Sequence, residues 1–438
     1  MDLIMILVFT IGYIAIVLEQ LLKINKAAIS LLMAALLWIV HTLSMPETAQ
    51  EQLLVQLADT CSVVLYLLGA MIVVELVDSH GGFALVPHLI KAKRRQTLLV
   101  TISVITFILS MILDNMTTTI IMIAIMFKLI HDNETRLWFV SIIILAANAG
   151  GACSPIGDVM TIMLWVKGNI TADALIPHLF LPCIISLAIP LLFVITKVDG
   201  TENNAPTQKL QEVKEQSPAS VTITDRILIS LIGMGGLVFV PIFRTLTGLP
   251  PFMGIMLVLG ILWVTTEIIY DRKRDIHESK KLRISKVISR IDLTTVMFFF
   301  GILMVVGALK EQGILAASSA FLDKYISNEY LTTGIIGILS SIIDNVPLVA
   351  AAMGMYPVAD PLTVEAGTYA ASFVQNGTFW ELLAFCAGTG GSLLIIGSAA
   401  GIVSMGLTNI NFGWYLKNIT WRAFLGYIAG MLIYWLIM

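Results

Sequence analysis

Ile112-Leu113-Asp114-Asn115-Met116-Thr117 interrupts an apolar stretch that begins near residue 97, and Ile342-Ile343-Asp344-Asn345-Val346-Pro347 interrupts another that begins at residue 333. A few dozen residues after each, a Gly-Gly pair breaks a further apolar segment, Gly150-Gly151 and Gly390-Gly391. The bilayer is the relevant solvent for all four. Of 438 residues, 58% are hydrophobic and 13% charged, and the mean hydropathy is +0.91, which excludes a soluble globular domain. A carboxylate at the bilayer centre costs about 2.5–3.5 kcal/mol on insertion scales unless it faces protein or water, so acidic residues inside apolar runs imply a purpose. The net charge of −3, with bases confined to short loops, gives no reason to expect nucleic acid as a partner.

Several apolar segments are shorter than the ~20 residues a spanning helix needs, and these cluster around the Asp-Asn and Gly-Gly motifs. The pattern predicts an all-α polytopic membrane protein with two re-entrant hairpins, 97–130 and 331–356, and two discontinuous helices, 137–167 and 378–405. The parts also repeat. Gly69-Ala70-Met71-Ile72-Val73-Val74 aligns with Gly301-Ile302-Leu303-Met304-Val305-Val306, Asp114-Asn115 with Asp344-Asn345, and Gly150-Gly151 with Gly390-Gly391, in the same order. Charge then orients the copies. In the first half the loop 41–60 carries Glu47, Glu51 and Asp59 without Lys or Arg, and the next loop carries Lys91, Lys93, Arg94 and Arg95. In the second half the order flips: 271–290 is rich in base, and 311–330 has three acids and one Lys. By the positive-inside rule the repeats, 1–198 and 224–438, have opposite topology. The basic loops 91–95 and 271–290 and the linker 199–223 are then cytoplasmic, and the two hairpin tips meet near mid-membrane. Segment 4–18 lacks the basic leader and cleavage site of a secretory signal, so it is expected to be retained.

The densest polar patch is Asn148-Ala149-Gly150-Gly151-Ala152-Cys153-Ser154-Pro155-Ile156-Gly157-Asp158. Pro155 lacks an N–H and the glycines permit unusual dihedrals, so the helix opens there and frees carbonyl oxygens. Those carbonyls, with Asn148, Ser154 and carboxylates, make a hard, oxygen-only environment suited to Na+ or Li+. The counterpart has Ser398 where Asp158 stands and Gly388 where Asn148 stands. The cation site is therefore expected to lean on the first half, with Asp344 contributing from the opposite tip. Asp114 and Asp344 also stand where helices should start, so capping is the plain alternative, and it is compatible with ion binding. Glu75 is a candidate proton relay, against which stands simple snorkelling to water. The intramembrane charges read this way are all acidic, which disfavours an anion carrier. Four scattered cysteines and six scattered histidines give no reason to expect a disulfide framework, a zinc centre or another cofactor.

The motifs Asp114-Asn115-Met116-Thr117-Thr118-Thr119, Asn148 to Asp158, Asp344-Asn345-Val346-Pro347-Leu348-Val349 and Gly388-Thr389-Gly390-Gly391-Ser392 to Ser398 resemble those of NhaD-type sodium/proton antiporters over nearly the whole chain. The resemblance implies the ion transporter superfamily fold, a homodimer with a scaffold and a moving transport domain, and a place in a cell's inner membrane. Superfamily carriers of dicarboxylates have Ser-Asn-Thr at each tip, and this chain has Asp-Asn, which fits a cation alone. The resemblance also suggests Na+ or Li+ exchanged for protons on shared carboxylates, with pH homeostasis and salt tolerance as the use. On that reading Asp114, Asp158 and Asp344 titrate, and Na+ sits at Asp114, Asn148, Asp158 and Asp344. Asn115, Thr118, Asn148, Ser154, Asn345 and Thr389 then serve as neutral ligands or supports. The alternatives are an arsenite or anion exporter or a carboxylate symporter of the same fold, and, remotely, an intramembrane aspartyl protease, because Pro155-Ile156-Gly157-Asp158 is similar to a Gly-x-Gly-Asp signature.

Overall fold

Residues 1–90, 94–198, 222–273, 281–365 and 367–438 are described by the computed structural model, and they are almost entirely helical. Among them eight helices are long and apolar enough to cross a membrane, and an isolated β-bridge joins Ala359 and Val374. The chain is an all-α polytopic membrane protein. The linker 199–223, except for its last two residues, and parts of both basic loops lie outside the described residues.

Helices α1 (Asp2–Val17), α2 (Lys26–Ser44) and α3 (Ala49–Ser79) come first. Residues 49–60 are not the acidic loop expected from the sequence. Ala-Gln-Glu-Gln-Leu-Leu over 49–54 are good helix formers, so α3 runs for 31 residues and the connection shrinks to 45–48. Then α4 (Arg95–Ser110) and α5 (Asn115–Leu129) form a helical pair around the tip 111–114, and α6 (Asn133–Ala152) and α7 (Val159–Val166) form one interrupted helix. The long α8 (Ala172–Ile195) closes this half.

After α9 (Ile223–Thr247), α10 (Pro251–Arg272) and α11 (Leu293–Glu311) the same succession returns. A Thr222–Asp225 capping box starts α9, Gly248 at φ 69° ends it, and Pro251 opens α10, each residue supplying what that helix end needs. The stretch 311–330, expected as a loop, contains α12 (Ile314–Tyr325). Next, α13 (Glu329–Ser340) and α14 (Asn345–Met355) enclose the tip 341–344, α15 (Thr378–Gly390) and α16 (Ala399–Leu407) form the second interrupted helix, and α17 (Trp421–Ile437) ends the chain.

Two packing groups result. In one, α2 lies against α1 and α11, and α3 against α10 and α11, with α9 on α10. In the other, α4 packs on α6, α13 on α15, α8 on α17 and α5 on α16. The α4–α6 and α13–α15 contacts are built alike. Ser110 Oγ donates to Ala147 O at 2.6 Å and Ser340 Oγ to Ala387 O at 2.8 Å. Gly150 meets the Phe107 carbonyl and Gly390 the Gly337 carbonyl, with no room for a Cβ at either. Small residues let backbones approach closely where lipid supplies no hydrophobic drive.

Asp132 caps α6 by accepting from the Thr135 amide at 2.9 Å and from the Thr135 hydroxyl. These bonds hold its carboxyl below the usual carboxylate range. A lowered folded-state pKa means stability that is present above about pH 4 and lost as pH falls through the folded value. Asp132→Ala is therefore expected to cost about 1 kcal/mol at pH 7. The gap in thermal midpoint between parent and variant should narrow as pH drops below about 4, which a melting series in detergent would read.

Candidate functional site

Four helix starts converge on one point because each break needs a residue that can satisfy freed amides. Asp114 caps α5, its Oδ1 accepting from the Thr117 amide at 2.8 Å; Asp344 caps α14, accepting from the Val346 amide at 3.4 Å. Asp158 caps α7, accepting from the Met160 amide at 3.2 Å, and Ser398 caps α16, accepting from the Gly401 amide at 3.2 Å. The capping expected of Asp114 and Asp344 is thus present.

Asp158 is the centre, with only 2% of its surface exposed. Asn115 Nδ2, from the first tip, donates to Asp158 Oδ2 at 2.5 Å and to Asn148 Oδ1 at 3.0 Å. Asn345 Nδ2, from the second tip, donates to the same Asp158 oxygen at 3.2 Å. Asn148 Nδ2 donates to Ser398 Oγ at 2.9 Å, which ties in the second interrupted helix. One buried carboxylate therefore gathers both tips and both breaks. Its oxygens accept three N–H bonds, and no Lys or Arg is among their hydrogen-bond partners.

The three aspartates do not close into one cage. Among the described residues no group of three or more His, Cys, Asp or Glu side chains is arranged to hold a metal. Asn345, rather than Asp344, reaches Asp158 from the second tip; Asp344 pairs with Lys26 Nζ at 3.1 Å. Asp114 and Asp344 still lie near enough for their charges to act on Asp158. Thr118 is fully buried one turn beyond Asp114, and its hydroxyl has no hydrogen-bond partner, an unspent pair of oxygen lone pairs. Ser154 is buried within the break and accepts weakly from the Ile156 amide, while Thr389 donates to Phe385 O at 2.6 Å. Glu75 is elsewhere: it accepts from Ser79 and lies 3.8 Å from Arg290, with no contact to the Asp158 network.

Three polar groups escaped the sequence reading. Lys26 opens α2 and shows that the charges near the tips are not all acidic. Glu381, wholly buried in α15, accepts from Tyr434 Oη at 2.8 Å and faces His178 Nδ1 at 2.9 Å; a lone Glu inside the apolar run 378–388 was the available signal. Ser398 stood out only as the residue replacing an aspartate, yet it joins the network through Asn148.

The profile of the family described as CitMHS, citrate transporter, matches residues 13–374. The chain belongs to this family. The chain is 43% identical to sodium/proton antiporter 1 of Arabidopsis thaliana over 99% of this chain and 72% of that protein, and 42% identical to sodium/proton antiporter 2 of the same plant over 98% of each. It is 29% identical to the Na+/H+ antiporter NhaD of Vibrio cholerae over 98% of this chain and 91% of that one. The likeness to NhaD-type antiporters thus runs nearly end to end. Family and relatives alike are named as transporters, which are not enzymes in the usual sense.

Proposed function

We propose that this membrane protein exchanges Na+ or Li+ for H+, with Asp158 as the group for which metal and proton compete. The observation that carries the reading is the buried Asp158 carboxylate at the meeting of both tips and both breaks. A protonated carboxyl holds Na+ poorly, and a metal-loaded one sheds its proton, so binding of each opposes the other. Asn115, Asn148, Ser154, Asn345, Thr389 and the unpartnered Thr118 hydroxyl supply or support neutral oxygens, and Asp114 and Asp344 add negative potential. Glu75 serves as a relay only if protons pass along α3.

Helix ends argue for a cation over citrate, although the family description names citrate. Four helix N-termini reach the junction, which by themselves would attract an anion. Three of them carry a carboxylate as the cap, Asp114, Asp158 and Asp344, and that sign is wrong for a tricarboxylate. In our reading the two successions are inverted repeats, 1–198 and 224–438, the α4–α8 and α13–α17 group moves against the α1–α3 and α9–α11 group as an elevator, and the protein works as a homodimer in an inner membrane. The linker 199–223 and the basic loops 91–95 and 271–290 would then face the cytoplasm.

The test is proton flux in liposomes. Adding Na+ or Li+ outside inside-acid vesicles should collapse the pH gradient, while choline, arsenite or succinate should not. Uptake of labelled citrate without any Na+-driven proton release would overturn the assignment in favour of a carboxylate carrier.

A further inference from the structure

We infer that the Lys26 ammonium is a tethered competitor of the transported cation, occupying Asp344 until an ion draws that carboxylate away. The inference rests on the exchanger reading and deepens it. Asp344 is adjacent to Asn345, which already contacts Asp158, so the tip has one residue on the central carboxylate and its neighbour on Lys26. Lys26 Nζ donates to Asp344 Oδ2 at 3.1 Å, a contact that joins residues 318 positions apart and links α2 of one packing group to the tip of the other. Its position is held from two further sides. The Lys26 amide donates to Glu19 Oε1 at 3.0 Å, and the ammonium lies 4.4 Å above the Phe298 ring of α11. Tyr13, Glu19, Asp158 and Asp292 are titratable groups whose charge or environment couples to the pair.

The chemistry is a balance of one cation against another. Asp344 lies 21% and Lys26 26% exposed by side chain, so breaking the pair does not strand a fully buried charge. An arriving Na+ offers Asp344 the same charge as Lys26, and a carboxylate that turns toward the ion must leave the ammonium. Because the ammonium belongs to the other packing group, this exchange also unlinks the second tip from α2. A second cross-group ion pair, Asp59 with Lys167 between α3 and the end of α7, has no ion-site residue in it and offers no such competition.

The measurement is the Na+ concentration that half-saturates proton release in liposomes carrying the parent, Lys26→Gln or Lys26→Arg. Lys26→Gln should reach half-saturation at about three- to tenfold lower Na+, the competitor having been removed, while Lys26→Arg, which keeps the charge, should stay within about twofold of the parent. An unchanged or higher half-saturating Na+ for Lys26→Gln would overturn the inference. If that variant fails to assemble, the parent in detergent is acylated with an amine-reactive ester and modification at Lys26 read by peptide mass spectrometry. Na+ should raise labelling at least about threefold over choline, as expected for a lysine whose neutral, reactive amine is no longer suppressed by the neighbouring carboxylate; equal labelling overturns the inference. Parent liposomes without Na+-driven proton release would count against the exchanger reading itself, and the labelling contrast, which needs no transport, decides the Lys26 pairing separately.

Discussion

Asp158→Asn is expected to abolish sodium-driven proton release while leaving the protein folded. The amide has the same shape, and its oxygen can still accept from Asn115 and Asn345, which now donate at 2.5 and 3.2 Å. The loss at the Met160 amide costs about 1 kcal/mol as a weakened helix cap, and removal of a buried charge without a basic hydrogen-bond partner offsets it. The ion suffers far more. One unit charge about 4 Å from Na+ contributes about 4 kcal/mol at an effective dielectric constant of 20, which corresponds to about a thousandfold in affinity. Exchange by Asp158→Asn should therefore stay below about 1% of the parent at a Na+ concentration that saturates the parent. The parent should also gain thermal stability with Na+, by about 2.7 kcal/mol at a hundred times its dissociation constant, and the variant should not. Asp114→Asn and Asp344→Asn remove charges that act from outside the hydrogen-bond network, so their losses should be smaller. Parental half-saturation in Asp158→Asn would remove Asp158 from the site.

The sequence betrayed the polar junction because bilayers tolerate so few acids: Asp114, Asp158 and Asp344 were conspicuous for that reason alone. It also indicated the breaks, since Gly150-Gly151 and Gly390-Gly391 stand where α6 and α15 end. What it could not convey was direction. Asp344 and Asn345 are neighbours, and only the turn at residues 341–344 decides that the amide meets Asp158 and the carboxylate meets Lys26. Lys26 was hidden because a lysine at the start of an apolar run reads as an interfacial residue, and its partner lies 318 residues away. The length of α3 was misjudged for a related reason. Glu51 and Asp59 carry the polarity of a loop, while the surrounding Leu, Gln and Ala carry the propensity of a helix, and in the described fold propensity prevails.

Gly150→Ala should disable the protein by a different route, through the backbone that supports the site. A Cβ at Gly150 would sit on the Phe107 carbonyl, with the Phe107 carbonyl carbon at 3.0 Å and its Cα at 3.1 Å, so α4 and α6 would have to separate. Backbone cannot swing aside as a side-chain end can, and overpacking of this kind costs about 1–3 kcal/mol or more. The same displacement strains the 2.6 Å bond from Ser110 Oγ to Ala147 O, immediately before Asn148. Asn148 and Asp158 would then shift against Asn115, so exchange is expected to fall by about ten- to a hundredfold alongside a lower thermal midpoint. Gly390→Ala meets the Gly337 carbonyl in the second half and should behave alike. Gly235→Ala and Gly260→Ala provide the contrast, since each Cβ would have nothing within 4 Å, and alanine in place of an exposed helical glycine is neutral or stabilises by about 0.5–1 kcal/mol. If Gly150→Ala melted and exchanged like those two, the close backbone approach would not be what holds the first tip against the broken helix.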